Sequence, residues 1–142
     1  MKLSAFALCS LLALPAFTAP AFAETMKMSA ELKGGAEVPA TTSAGTGTVD
    51  ASYDTATKML SWKGAAMGMT GPATAAHFHG PAAPGANAGV MVPAKVAGDT
   101  FEGSAALTDA QAKALMAGEI YFNIHTAANP NGEIRGQLAK AK

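Results

Sequence analysis

The chain has 142 residues, with ten basic and ten acidic side chains and a formal net charge of zero at neutral pH. Charged residues make up only 14% of it, which argues against nucleic acid or an anionic membrane surface as partner, since both reward a basic surface. The length suits one domain with a hydrophobic core of its own. Residues 1-23 read as an export leader: Lys2 precedes an apolar run from Leu3 to Leu14, and Ala21-Phe22-Ala23 forms a small-x-small cleavage site. The run is too short to span a bilayer. The sole cysteine, Cys9, lies inside it, too early for a lipid anchor, and leaves with it. Residues 24-142 are therefore expected to be one periplasmic or secreted domain, with no membrane association after cleavage. With no disulfide, its stability must come from a packed core or a bound ligand.

Along this domain a period-two alternation recurs between clusters of Gly, Pro, Asn and Asp, and predicts strands near 27-33, 46-53, 58-65, 73-79, 89-96, 100-107, 119-126 and 133-138. Val49, Ala51 and Tyr53 alternate with Thr48, Asp50 and Ser52, and Leu60 and Trp62 with Ser61 and Lys63, so each strand has one buried and one wet face. One helix is expected near 109-117. Thr108 and Gln111 make its capping box, Gly118 its left-handed stop, and Leu115 and Met116 are expected to dock on the core. Asn129-Pro130-Asn131-Gly132 predicts a tight turn that makes the last two strands antiparallel neighbours. The turn-rich segments 34-47 and 80-89 read as long surface loops. Such spacing suits a sandwich or a barrel, and the architecture expected is an antiparallel Greek-key β-sandwich with one short helix.

All three histidines fall in two strands, in Ala76-His77-Phe78-His79-Gly80-Pro81 and Asn123-Ile124-His125-Thr126. On a strand His77 and His79 leave the same face. Phe78 marks the core side of the first strand, and Ile120, Phe122 and Ile124 that of the second, so all three rings point away from the core. Glu133, Arg135 and Gln137 join Tyr121, Asn123 and His125 on that face. Arg135, the only arginine, is expected to pair with Glu119 or Glu133. Three convergent imidazoles suit copper or zinc, and His77, His79 and His125 are the candidate metal ligands. The pairs Met26-x-Met28 and Met67-x-Met69 add soft thioethers that favour copper(I), but Met28 is in phase with Ala30 and Leu32 as core filling. No Gly-x-Ser-x-Gly elbow or phosphate-cradling loop is present.

From Leu32-Lys33-Gly34-Gly35-Ala36-Glu37-Val38-Pro39 through Ala76-His77-Phe78-His79-Gly80-Pro81, Leu107-Thr108 and Ala117 to Thr126, to Asn129-Pro130-Asn131-Gly132-Glu133-Ile134-Arg135-Gly136-Gln137-Leu138, the chain resembles the CHRD (chordin) domain family. The resemblance implies a secreted β-sandwich, immunoglobulin-like or superoxide-dismutase-like. It also implies an extracellular setting in which animal members bind growth factors and bacterial single-domain members have no settled activity. Copper-zinc superoxide dismutase also carries His-x-His on a barrel strand, but this chain lacks that enzyme's disulfide and fuller histidine set. The expected function is therefore binding rather than catalysis. Copper or another transition metal on the three histidines leads. A metal-free interaction module for an unidentified extracytoplasmic protein is the alternative, and a superoxide-dismutase-like metalloenzyme stands third, because no acid-base pair stands out beyond the histidines.

Overall fold

The computed structural model describes residues 23–142. The leader read at residues 1-23, Cys9 included, lies outside these residues except for Ala23. The elements run β1 (Thr25–Lys33), a 3-10 turn (Gly34–Ala36), β2 (Thr46–Asp54), β3 (Met59–Met67), β4 (Ala73–His79), β5 (Val90–Ala97), β6 (Thr100–Ala106), α1 (Asp109–Met116), β7 (Tyr121–Thr126), β8 (Ile134–Gln137) and β9 (Ala139–Lys140). Each predicted strand is present, within two residues of its expected ends. The helix also forms: Gln111 N donates to Thr108 Oγ1 at 3.2 Å, Thr108 N donates to Gln111 Oε1 at 2.9 Å, and Gly118 takes φ +73°. Ala114 and Leu115 are its buried residues, whereas Met116, expected on the core, is 51% exposed.

The expected sandwich is corrected to a closed eight-stranded antiparallel barrel, in the order β1-β2-β3-β6-β5-β4-β7-β8. Closure rests on β1, which pairs on both of its edges. One edge takes all of β2, from Thr25↔Asp54 to Lys33↔Thr46. The other takes β8 at Lys33↔Arg135 and β9 at Ser29↔Ala139 and Met28↔Lys140. Period-two alternation says only that one face of each strand is buried, a condition that a sandwich and a barrel satisfy equally. Among the described residues no helix is long and apolar enough to cross a membrane.

Side chains fill the barrel as a packed interior rather than a pore. Trp62 meets Phe78 edge-on at 5.0 Å between centroids, Phe78 meets Phe122 at 4.7 Å, and Phe122 meets Phe101 at 4.8 Å. Two glycines make room for these rings. Gly103 lies opposite Trp62 in the ladder, where a Cβ would stand 2.7 Å from the indole Cζ2, and a Cβ on Gly64 would collide with the Phe101 ring. Met26 and Met28 are buried in this core, the packing role that their phase implies. Replacing Trp62 by Ala should lower the unfolding free energy by about 3 to 5 kcal/mol in urea titrations, because the cavity is walled by rigid rings that collapse poorly. A change within ~0.5 kcal/mol would show that the ring contributes little packing.

Candidate metal centre

Strands β4, β7 and β8 lie side by side, and their register builds rows across the outer face of the barrel. His79 stands opposite Tyr121, which stands opposite Gln137; His77 stands opposite Asn123, which stands opposite Arg135. His125 stands opposite Ala75. The residues expected to point away from the core do so, but they do not all reach solvent. Residues 80-89 and the 34-45 segment fold over them, so Tyr121, Asn123, His79 and Arg135 are all buried, Arg135 at 2% exposure. A second, polar layer is thus packed between sheet and loops.

Arg135 does not pair with Glu119 or Glu133 as expected. Its guanidinium lies 3.3 Å from the centroid of the Tyr121 ring, Nη2 donates to Ala86 O at 2.6 Å, and Nη1 donates to Asn87 Oδ1 at 3.0 Å. The loop carbonyls reach the cation from above, while Glu119 is exposed and Glu133 is engaged elsewhere. Tyr121 OH donates to Ala88 O, and its ring stacks on His79 at 4.7 Å and 3° between planes. Gln137 Nε2 donates to Ala82 O at 2.9 Å and to Gly118 O at 2.8 Å. Asn87 Nδ2 donates to Val38 O at 2.9 Å, tying the two covering loops together.

The three histidines converge, and one nitrogen from each lies within 4.8 Å of the others. His79 Nδ1 is 3.0 Å from Ala88 O, and His125 Nδ1 is 2.9 Å from Pro130 O. A carbonyl oxygen only accepts, so His125 Nδ1 carries hydrogen and, in the neutral ring, His125 Nε2 keeps a lone pair; His79 has an acceptor oxygen at each nitrogen, and a neutral ring donates to only one of them. His125 Nε2 lies 3.0 Å from His77 Nδ1, and His79 Nε2 lies 3.0 Å from Asn123 Oδ1. Burial pushes both His77 and His79 below the usual 6.5. The neighbouring rings His125 and His79 reinforce the shift at His77, whereas the bonds to Ala88 and Asn123 oppose it at His79. Low pKa values favour neutral imidazole, the form that binds metals. Of the methionines considered as soft ligands, Met67 is 70% exposed and Met69 packs against the core.

Two buried carboxylates lie nearby: Glu37, which the residues alone did not place here, and Glu133, which was expected on this face. Glu37 is 6% exposed, and its Oε1 has no hydrogen-bond partner among the described residues. Gly132, at φ +125°, leaves room for it: a Cβ there would collide with Glu37 Oε1 and stand 2.7 Å from Asn123 Nδ2. Burial pushes the Glu37 carboxyl above its usual 4.5, against the pull of the Asn123 amide and of the charges on Arg135 and His125. Glu133, 0% exposed, is the opposite case. Burial opposes its charge too, but the hydroxyls of Thr126, Thr70 and Ser43 and the Thr70 N–H outweigh burial and hold it at about 2. The lone carboxylate in the small-residue segment Gly34-Gly35-Ala36-Glu37-Val38-Pro39 was the signal available for Glu37, because a chain this poor in charge rarely spends one on a covered loop.

A family model described as the CHRD domain matches residues 28–138. The chain belongs to the CHRD domain family. No curated protein and no solved structure matches it. The match runs from β1 to the end of β8, so the barrel, both covering loops and all three histidines lie within the CHRD domain.

Two outcomes follow for this CHRD domain. Arg135→Lys, which loses the planar fork and the stacking plane, should cost about 2 to 3 kcal/mol and open residues 81-88 to limited proteolysis; parent-like resistance would show that the loop is held without it. Glu133, held at about 2 when folded against 4.5 when unfolded, contributes stability that is full above pH 4.5 and is lost as the pH falls towards about 2. Urea titrations between pH 5 and 2 should show that slope in the parent and a flatter one in Glu133→Gln.

Proposed function

We propose that this CHRD domain is exported to the periplasm or beyond and binds a transition metal, copper(II) before zinc, on His77, His79 and His125. The observation that carries this reading is the convergence of the three rings within 4.8 Å, with the Nδ1 atoms of His79 and His125 anchored to the carbonyls of Ala88 and Pro130 and His79 Nε2 exchanging Asn123 Oδ1 for the metal. Metal-ligating histidines are held in this way, with one nitrogen fixed by an oxygen so that the other presents its lone pair. His77 presents Nδ1 to those two rings and needs only the tautomer with hydrogen on Nε2 to act as a ligand.

Copper(II) is preferred over zinc here by intrinsic affinity at nitrogen sites. Among the described residues no nucleophile stands beside the histidines, and binding rather than turnover is the function proposed.

Calorimetry with copper(II) and zinc on untagged protein tests this. The parent should bind one equivalent, and His77→Ala, His79→Ala and His125→Ala should each weaken binding at least about tenfold, each removing a third of the ligand set. Affinity should hold until the pH falls below 6.5 and then decline, because both shifted rings resist protonation further into acid than free imidazole does. His125 decides the matter, because only the folded sheet brings it to β4. If His125→Ala binds copper as tightly as the parent, the three-histidine site is wrong, and the covered face is better read as a surface for another protein.

A further inference from the structure

We propose that Glu37 is the counter-charge of the metal centre, a positioning residue that acts through Asn123 to make the site prefer a doubly charged ion. The inference rests on the three-histidine reading and names a further residue that governs which charge state that site holds. Three neutral imidazoles give a bound dication no compensating charge, and Arg135 places a fixed cation in the same polar layer. An anion is needed to offset both, and Coulomb interactions across a covered, low-dielectric layer are strong enough for one carboxylate to decide it.

Glu37 meets the requirement on three observations. It is more than nine-tenths buried, so its charge is not lost to solvent. Its Oε1 has no hydrogen-bond partner among the described residues, a costly arrangement for a carboxyl that only stabilises the fold. It shares Asn123 with the site: the amide nitrogen lies against the Gly132 notch that receives Glu37, and the amide oxygen lies 3.0 Å from His79 Nε2. In the metal-free protein Asn123 Oδ1 faces His79 Nε2, the nitrogen that the metal takes, so metal binding releases the amide from His79 and leaves it to Glu37. Burial raises the cost of the Glu37 anion in the metal-free protein, and a cation at the histidines relieves that cost.

The test uses copper in both oxidation states on the full mature chain. Glu37→Gln keeps shape and burial and removes the charge. It should weaken copper(II) roughly tenfold or more relative to copper(I), so that the reduction potential of the bound metal rises by about 59 mV or more. Glu37→Asp withdraws the charge by one methylene and should fall between the two. Glu119→Gln, which removes an exposed carboxylate two residues before Tyr121, should leave the potential at the parent value. A structural role alone would weaken both oxidation states together and leave the potential unmoved. That result overturns the proposal while the three-histidine site stands. Should Glu37→Gln not fold, an unchanged potential in Glu37→Asp overturns it equally. A parent that binds no copper(II) removes the site itself and the proposal with it.

Discussion

The polar half of this molecule depends on one guanidinium. Arg135 rises from β8 into the space between sheet and loop, spreads over the Tyr121 ring and closes two hydrogen bonds to Ala86 and Asn87. A lysine in its place would offer a point charge with no plane to stack, and residues 80-89 would lose both their anchor and their register. The placing of Tyr121, Asn87 and their neighbours above the sheet follows from this contact. Tyr121, fixed from one side by the cation, offers a flat surface to His79, and Ala88, held next to Asn87, meets the His79 Nδ1 while Asn123 meets its Nε2. The orientation of a candidate ligand is thus decided by an arginine two strands away.

Glu37 and Glu133 show how far local donors outweigh burial. Both carboxylates are buried, and both are drawn from the same range, yet one is pushed up and the other down to about 2. Glu133 is surrounded by Ser43, Thr70, Thr126 and Asn129, short side chains whose donors stand where a charge needs them. Glu37 meets the Asn123 amide and the Gly132 Cα, with one oxygen left bare. Their difference sorts the two by role: a fully satisfied carboxylate holds loops together, and an unsatisfied one is free to respond to a cation.

Much of this was legible in the residues because period-two alternation is a local property. The strands, the Thr108-Gln111 cap, the hairpin at 129-132 and the shared face of His77, His79 and His125 all follow from side-chain direction within a few residues. What failed was non-local. Closure of the barrel is decided by β1 finding partners on both edges, and no pattern within β1 records a second partner. Arg135 was assigned a carboxylate on the assumption that charges meet charges; the structure instead supplies backbone oxygen and an aromatic face from a loop whose path the sequence leaves open. Met116 was placed on the core by helical phase, but an eight-residue helix resting on a barrel end buries a narrow stripe, and Ala114 and Leu115 fill it. Glu37 was passed over for the same reason as the barrel closure, since its neighbours Asn123 and Gly132 are remote in the chain.

Asn87 has a consequence of its own. Its amide oxygen accepts from Arg135 and its amide nitrogen donates to Val38 O, so a single side chain joins the 80-89 segment to the 34-45 segment. Two covers that share a bolt do not lift separately. His77 and His125 stay half-buried and open to a solute from the side, whereas Tyr121, Asn123 and Arg135 lie beneath both covers, so loosening one cover weakens the hold of the other on that layer. The Asn87 amide therefore couples the fate of two segments that are some fifty residues apart in the chain.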